Sequence, residues 1–230
     1  MDLKIELIKH NEPIYSFFKK NCTYNRNKLS DNLSEELYNG TSINDILKTN
    51  DIDRNILEEE YNQFILFDYV IDHIDEDITI DMLLEMHKIL KNNREGFKKK
   101  PNKIVWKTKE LGEVEVHTVN PQDVINELEK LLAKKINNIS DLTDFHIEFE
   151  HIHPFEDGNG RIGRLLLLKE SLRNNMLPVI IFYDNRRDYQ LTLTSIHANK
   201  GKTSKDLERI LVNNQYKCLN ELNKLYNLDL

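Results

Sequence analysis

The sequence has little of what builds a loop-rich or cross-linked fold. Its 230 residues contain 7 Gly, 5 Pro, 2 Cys and 1 Trp, which excludes collagenous, proline-rich and disulfide-scaffold classes. Cys22 and Cys218 stand near opposite ends with no CxxC or metal-ligand spacing, and that points to a reducing compartment. Long apolar runs are missing as well. No 18-residue apolar stretch is present to cross a bilayer, and the start MDLKIELIKHNEP lacks a signal-peptide apolar region. The expectation is a cytoplasmic protein without a membrane partner, although secretion without a cleavable signal leaves no mark on a sequence. An excess of positive charge is also absent. Lys and Arg number 32 against 39 Asp and Glu, a net charge of −7, which argues against a surface built for nucleic acid.

What remains is a chain with 39% hydrophobic and 31% charged residues, the composition of a globular, helix-leaning protein with a real core. Apolar residues recur at helical spacing from Leu3 to Lys20, with a break at Pro13 that divides two short helices. Ser34 with Glu35 and Glu36 reads as a helix start and Gly40 as its stop. Thr41 or Ser42 caps a short helix to Lys48. Asp51 opens a longer one to about His73, with Ile52, Ile56, Tyr61, Phe64, Ile65, Phe67 and Tyr69 inward. Thr79 caps Ile80 to Leu90. Between Lys103 and Thr118 the period changes to two, with a turn at Leu111-Gly112, and this is a β-hairpin. Helices follow from Pro121 to about Lys135, through Leu142, Phe145, Phe149 and Ile152, through Leu165 to Leu168, and from Ser204 to Leu225.

Between two strongly helical stretches lies HIHPFEDGNGRIGR, residues 151–164, with almost nothing to give a core. Pro154 forces the chain out of helical geometry, and Phe155 is the one apolar anchor. Gly158 and Gly160 flank Asn159 where a new helix begins, so main-chain N–H groups converge there on any anion. Arg161 and Arg164, three apart, both lean over that first turn. Such a site suits a polyphosphate, and Asp157 offers the carboxylate that a phosphate-bridging Mg²⁺ prefers. His153 is a titratable base beside it. The residues alone therefore suggest nucleotide-dependent transfer. A zinc cluster of His146, Glu150, His151 and His153 is the weaker alternative, because it leaves GNGR unexplained. The lysines Lys98, Lys99, Lys100, Lys103 and Lys107 read as a solvated hairpin surface.

HPFEDGNGRIGR also resembles the signature of the Fic (filamentation induced by cAMP) family, HPFx(D/E)GNGRxxR. His146 and Phe149 upstream, the hairpin and Arg187-Asp188-Tyr189 extend the resemblance over roughly residues 60 to 200. It implies a mostly α fold, a Fic-like helical bundle with a β-hairpin flap. Residues 1–50 would form a helical extension packed on the core, and residues 51–230 the Fic domain with its C-terminal helices. It implies a protein adenylyltransferase that moves AMP from Mg–ATP to a Ser, Thr or Tyr hydroxyl of a target protein. His153 would be the general base and Asp157 would hold Mg²⁺. The amides of Gly158, Asn159 and Gly160 would cradle the phosphates, with the Asn159 side chain on the α-phosphate, Arg161 on the β-phosphate and Arg164 on the γ-phosphate or an inhibitory acid. Tyr189 would lie near the adenine. The flap residues Lys103, Ile104, Val105, Trp106 and Lys107 would dock the target by strand addition. Doc-type relatives carry Lys where this chain has Gly160, which favours AMP transfer over phosphorylation. Transfer of another phosphate-containing group, reversal to remove AMP, and a catalytically silent partner in a toxin–antitoxin pair remain open.

The family's self-inhibitory motif (S/T)xxxE(G/N) is only partly matched. Arg26 replaces its Ser/Thr, Ser30 its Glu and Asp31 its Gly. Three expectations follow: the brake is lost, Glu35 or Glu36 supplies the acid from a shifted register, or an antitoxin or second copy of the chain provides it.

Overall fold

Short polar side chains open most of the helices, because each satisfies a leading N–H that has no partner within the helix. The computed structural model describes residues 5–24, 26–92, 96–108 and 112–226. Leu3 and the turn residue Leu111 fall outside the described residues. After α1 (Ile5–His10), Asn11 caps α2 (Glu12–Thr23), Ser30 caps α3 (Asp31–Tyr38) and Ser42 caps α4 (Ile43–Thr49). Asp53 caps α5 (Arg54–Asp72) and Thr79 caps α6 (Ile80–Leu90). The hairpin is β1 (Lys103–Thr108) and β2 (Gly112–His117), paired antiparallel with Lys103 opposite His117 and Thr108 opposite Gly112. One 3-10 turn at Pro121–Asp123 leads into α7 (Val124–Leu132). Then come α8 (Ile139–Ile152), capped by Asn138, α9 (Asn159–Arg173), α10 (Arg186–His197) and α11 (Ser204–Tyr226).

Three boundaries and one buried face differ from the sequence reading. Ser34 does not start α3. Ser30 accepts from the Leu33 N–H, so the helix begins at Asp31 and Ser34 is buried within it. Asp53 rather than Asp51 opens α5. Tyr61 and Ile65 point to solvent on that helix, since its inner face is taken by Leu57, Phe64, Phe67 and Ile71. The helix after Pro121 ends at Leu132, before Lys135.

Of the described residues 66% are helical, a mostly α bundle with a β-hairpin flap. At its centre runs α9, in which Leu165, Leu166, Leu167 and Leu168 are all buried. Four consecutive leucines cannot share one face of a helix, so α9 needs neighbours on every side. It has α8 and α5 against it, and α8 in turn packs on α11. Lys169 is fully buried on α9, where its ammonium donates to the carbonyls of Ile74 (3.0 Å) and Glu76 (2.5 Å) and holds the turn after α5. Ile8, Ile14 and Phe18 of the first two helices enter the same buried cluster. The result for function is a rigid axis: the polar loop 153–158 joins the two innermost helices.

Candidate active site

The loop takes its shape from main-chain geometry. α8 ends at His153, which adopts the left-handed conformation (φ 49°), and Pro154 then prevents another helical turn. Phe155 is fully buried and stacks on His87 with ring centroids 4.1 Å apart. Asn159, 1% exposed, accepts from the Phe155 N–H and donates to the Phe155 carbonyl, both at 2.8 Å. The His87 ring meets the Asp157 carbonyl at 3.2 Å. Gly158 turns the chain with φ 94°, and a Cβ there would lie 2.8 Å from Leu90 Cδ2, so both backbone and space demand glycine. Gly158 caps α9 without any side-chain hydrogen bond, and the Arg161 and Ile162 N–H groups donate to its carbonyl, so the amides at the very start of the helix, Asn159 and Gly160, are the ones suited to an anion.

Around this helix end the charges are ordered. The Asp157 carboxylate takes Lys91 at 2.5 Å, Arg161 at 3.0 Å and its neighbour's amide, the Gly158 N–H, at 2.7 Å. Burial would raise its pKa, yet Lys91 and Arg161 hold it down at about 2. Glu59 pairs with the same Lys91 (3.1 Å) and Arg161 (3.4 Å), closing a ring of two acids and two bases. His153 Nδ1 lies 3.2 Å from the Glu150 carbonyl, and burial lowers the imidazole to about 4 against that hydrogen bond. Behind the loop, the Tyr189 hydroxyl meets His146 Nε2 at 2.7 Å, and the nearby Arg164 charge opposes the rise that burial gives the Tyr189 pKa. Glu150 lies beneath α9 in space made by Gly163, where a Cβ would come 2.4 Å from Glu150 Oε1. Burial pushes the Glu150 carboxyl up to about 7, while Arg164 pulls the other way.

Most of the expected residues converge on this helix end: His153, Asp157, Gly158, Gly160, Arg161 and Arg164. Others are placed differently. The Asn159 side chain exchanges two hydrogen bonds with the Phe155 main chain and braces the loop. Tyr189 is buried with its hydroxyl on His146. The three candidate regulatory residues do not meet Arg164. Ser30 caps α3, Glu35 is held by Lys20 (2.6 Å) and Tyr24 (2.8 Å), and Glu36 is exposed. On the flap, Val105 is 49% exposed while Val114 and Val116 face inward, and Lys103 pairs with Glu115 across the strands. The main chain of Trp106 and Lys107 lies in β1.

The sequence reading also missed residues that build the site. Lys98 is 2% exposed, not part of a solvated surface. It donates to the Ile152 carbonyl (3.0 Å), Thr118 (2.8 Å) and Asn102 (2.9 Å), which fastens the base of the flap to the helix that ends at His153. Burial lowers it to about 8. Nothing in the run FKKKPNK separates Lys98 from Lys99 or Lys100, because only the fold decides which lysine turns inward. His87, Lys91, Glu150 and Arg186 carry no motif either.

A helical bundle with a flap, whose central helix presents an arginine-flanked anion site next to a histidine, defines a class, and comparison with known proteins agrees with it. Residues 77–170 match the model of the Fic/DOC family. Protein adenylyltransferase fic-1 of Caenorhabditis elegans is 31% identical over 126 residues, which are 51% of this chain and 24% of that protein. Protein adenylyltransferase Fic of Nematostella vectensis is 45% identical over 56 residues, covering 24% of this chain and 13% of the relative. A probable protein adenylyltransferase of Aquifex aeolicus matches equally over 56 residues, 24% and 17% of the two chains. The chain thus spans about a quarter or less of the length of these curated relatives. In solved structures the fold recurs in a Fic domain containing signaling protein from Bacteroides thetaiotaomicron, with TM-score 0.68 and 18% identity over 93% of this chain and 84% of that one. It recurs in Fic-1 from C. elegans, with TM-score 0.67 and 18% identity over 97% and 66%. Residues 77–170 thus resemble the Fic/DOC family, and the fold of the chain is that of Fic-domain structures.

Proposed function

We propose that the protein is an adenylyltransferase that moves AMP from Mg–ATP to a Ser, Thr or Tyr hydroxyl of a target protein. The observation that carries this reading is the placement of His153 beside the open N-terminus of α9. Its Nδ1 faces a carbonyl, which can only accept, so Nδ1 bears the proton and Nε2 the lone pair. Held at about 4, the imidazole is neutral and able to act at physiological pH. The target hydroxyl gives its proton to Nε2 as its oxygen bonds the α-phosphorus. The bond from that phosphorus to the bridging oxygen breaks, and pyrophosphate leaves. The α9 amides and the two arginines offset the charge that develops on the phosphate oxygens. That AMP is the transferred group draws support from the relatives, each named as a protein adenylyltransferase.

The residues present fit Mg²⁺ as a phosphate-bound ion. Among the described residues no group of three or more His, Cys, Asp or Glu side chains comes together for a metal, so a single ionised Asp157 with phosphate oxygens and water would hold it. When bound, the ion would supply neutralising charge across the phosphates. The exposed edge of β1 around Ile104 and Val105 is suited to an extended target segment.

The test is incubation of the chain with Mg²⁺ and ATP labelled at the α- or the γ-phosphate. Label entering protein from α-labelled ATP only, and lost in His153→Ala although ATP still binds, is the expected result. Label from γ-labelled ATP would replace AMP transfer by phosphorylation, and unchanged transfer in His153→Ala would remove the histidine from the mechanism.

A further inference from the structure

Next to the loop lies a cavity of about 40 Å³ with no carboxylate in its lining. Four arginines reach it from three parts of the chain: Arg26 from the segment after α2, Arg161 and Arg164 from α9, and Arg186 from the start of α10. Arg26 pairs with Asp31 and Arg161 with Asp157 and Glu59, so the charge left without an ion pair among the described residues is that of Arg164 and Arg186. Arg164 has no acidic partner within ion-pair distance among the described residues. Arg186 Nε is buried without a hydrogen-bond partner, and Arg164 beside it pulls its pKa down to about 10. Like charges packed this closely repel unless an anion lies between them.

Arg26 is steered into this position. Asp31, at the start of α3, accepts from its Nε at 2.8 Å, and the guanidinium lies 5.9 Å from the Tyr183 ring. Tyr183 in turn donates to Asn27 at 3.3 Å, tying the segment to the wall that carries Arg186. Arg164 links the cavity to the loop, since its Nη1 sits 3.2 Å from where a Cβ on Gly160 would be.

We propose that Arg26 and Arg186 complete a terminal-phosphate site with Arg164, so that the N-terminal segment is part of the nucleotide site and acts for binding rather than against it. The inference rests on the Mg–ATP reading above. A brake at this place would bring an acid to compete with the outermost phosphate. This segment brings a cation, and its nearest acid, Asp31, is turned toward the back of Arg26.

The test is calorimetric binding of ATP, ADP, AMP and inorganic triphosphate to the whole chain and to Arg26→Ala, Arg26→Lys and Arg186→Ala. Loss of a charge-assisted contact with the last phosphate is expected to weaken ATP and triphosphate by about tenfold or more, with AMP unchanged and Arg26→Lys partly restored. In turnover the same variants raise KM for ATP more than they change kcat. Arg26 is a surface residue, so its variants test the site even if Arg186→Ala folds poorly. ATP affinity equal to the parent chain in Arg26→Ala overturns the proposal, as does faster AMP transfer in that variant, which would make the segment a brake. Arg26-dependent binding of inorganic triphosphate without any transfer of α-label would uphold the anion site and sink the AMP-transfer reading alone.

Discussion

His153 and Glu150 are joined through the backbone: the imidazole Nδ1 lies 3.2 Å from the Glu150 carbonyl oxygen, one turn earlier on α8. The contact orients the ring and leaves Nε2 as the free base. Burial keeps that base neutral down to about pH 4. A base with a lowered pKa retains its active form into acid, so the acid limb of kcat/KM for AMP transfer is expected near pH 4, below the usual 6.5 of histidine. A pH–rate profile checks this, and a limb at 6.5 would place His153 in a wetter setting than the structure gives it.

Glu150 itself should make stability depend on pH. Its carboxyl, usually near 4.5, is pushed up to about 7 by burial, with Oε1 unpartnered. Between those values the folded chain keeps a proton that the unfolded chain releases, so this group lowers stability as pH rises from 4.5 to 7. Glu150→Gln removes the penalty. The variant is expected to exceed the parent by roughly 1–3 kcal/mol in urea unfolding at pH 8, with the difference vanishing at pH 4. A gap that fails to widen with pH would contradict the assignment.

Lys91 stands in the position where a cation serving Asp157 would compete. It is 2.5 Å from the carboxylate and also 3.1 Å from Glu59. Metal binding at Asp157 has to displace this ammonium. Lys91→Met should therefore lower the Mg²⁺ concentration for half-maximal transfer by about threefold to tenfold, an interaction on the order of 1 kcal/mol. Manganese binding followed by electron paramagnetic resonance gives an independent readout, and an unchanged metal requirement would separate Lys91 from the ion.

Glu35 is engaged away from Arg164. Lys20 and Tyr24 hold its carboxylate, and the hydrogen bonds lower its pKa although the group is largely exposed. Glu35→Ala should leave AMP transfer at the parental rate and cost less than about 1 kcal/mol of stability, as for other exposed ion pairs. A several-fold rise in transfer would mean that α3 rearranges and brings the acid to the site.

The loop chemistry was legible before the fold because it is local. Pro154, Gly158 and Gly160 dictate backbone geometry, and a helix that starts at Asn159 points amides at an anion whatever surrounds it. The hairpin was legible for the same reason, from its period of two. Side-chain direction was not. Asn159 carries the polar amide that a phosphate would accept, yet it turns inward because the buried Phe155 amide and carbonyl need partners. Tyr61 and Ile65 reversed their expected burial because the positions of neighbouring helices, not local spacing, decide which face is covered.

The sequence by itself determined the helical composition, the flap and the set of base, carboxylate, glycines and arginines between residues 153 and 164, since each follows from short-range sterics and residue chemistry. Only the tertiary structure decided which distant residues join them. Lys98, His87, Lys91, Glu59, Arg26 and Arg186 come from five separate places in the chain, and their roles arise from burial and charge created when the helices pack. That is why the acid sought for Arg164 in the first forty residues is replaced there by Arg26: electrostatics at a site is a sum over neighbours in space, which no local pattern records.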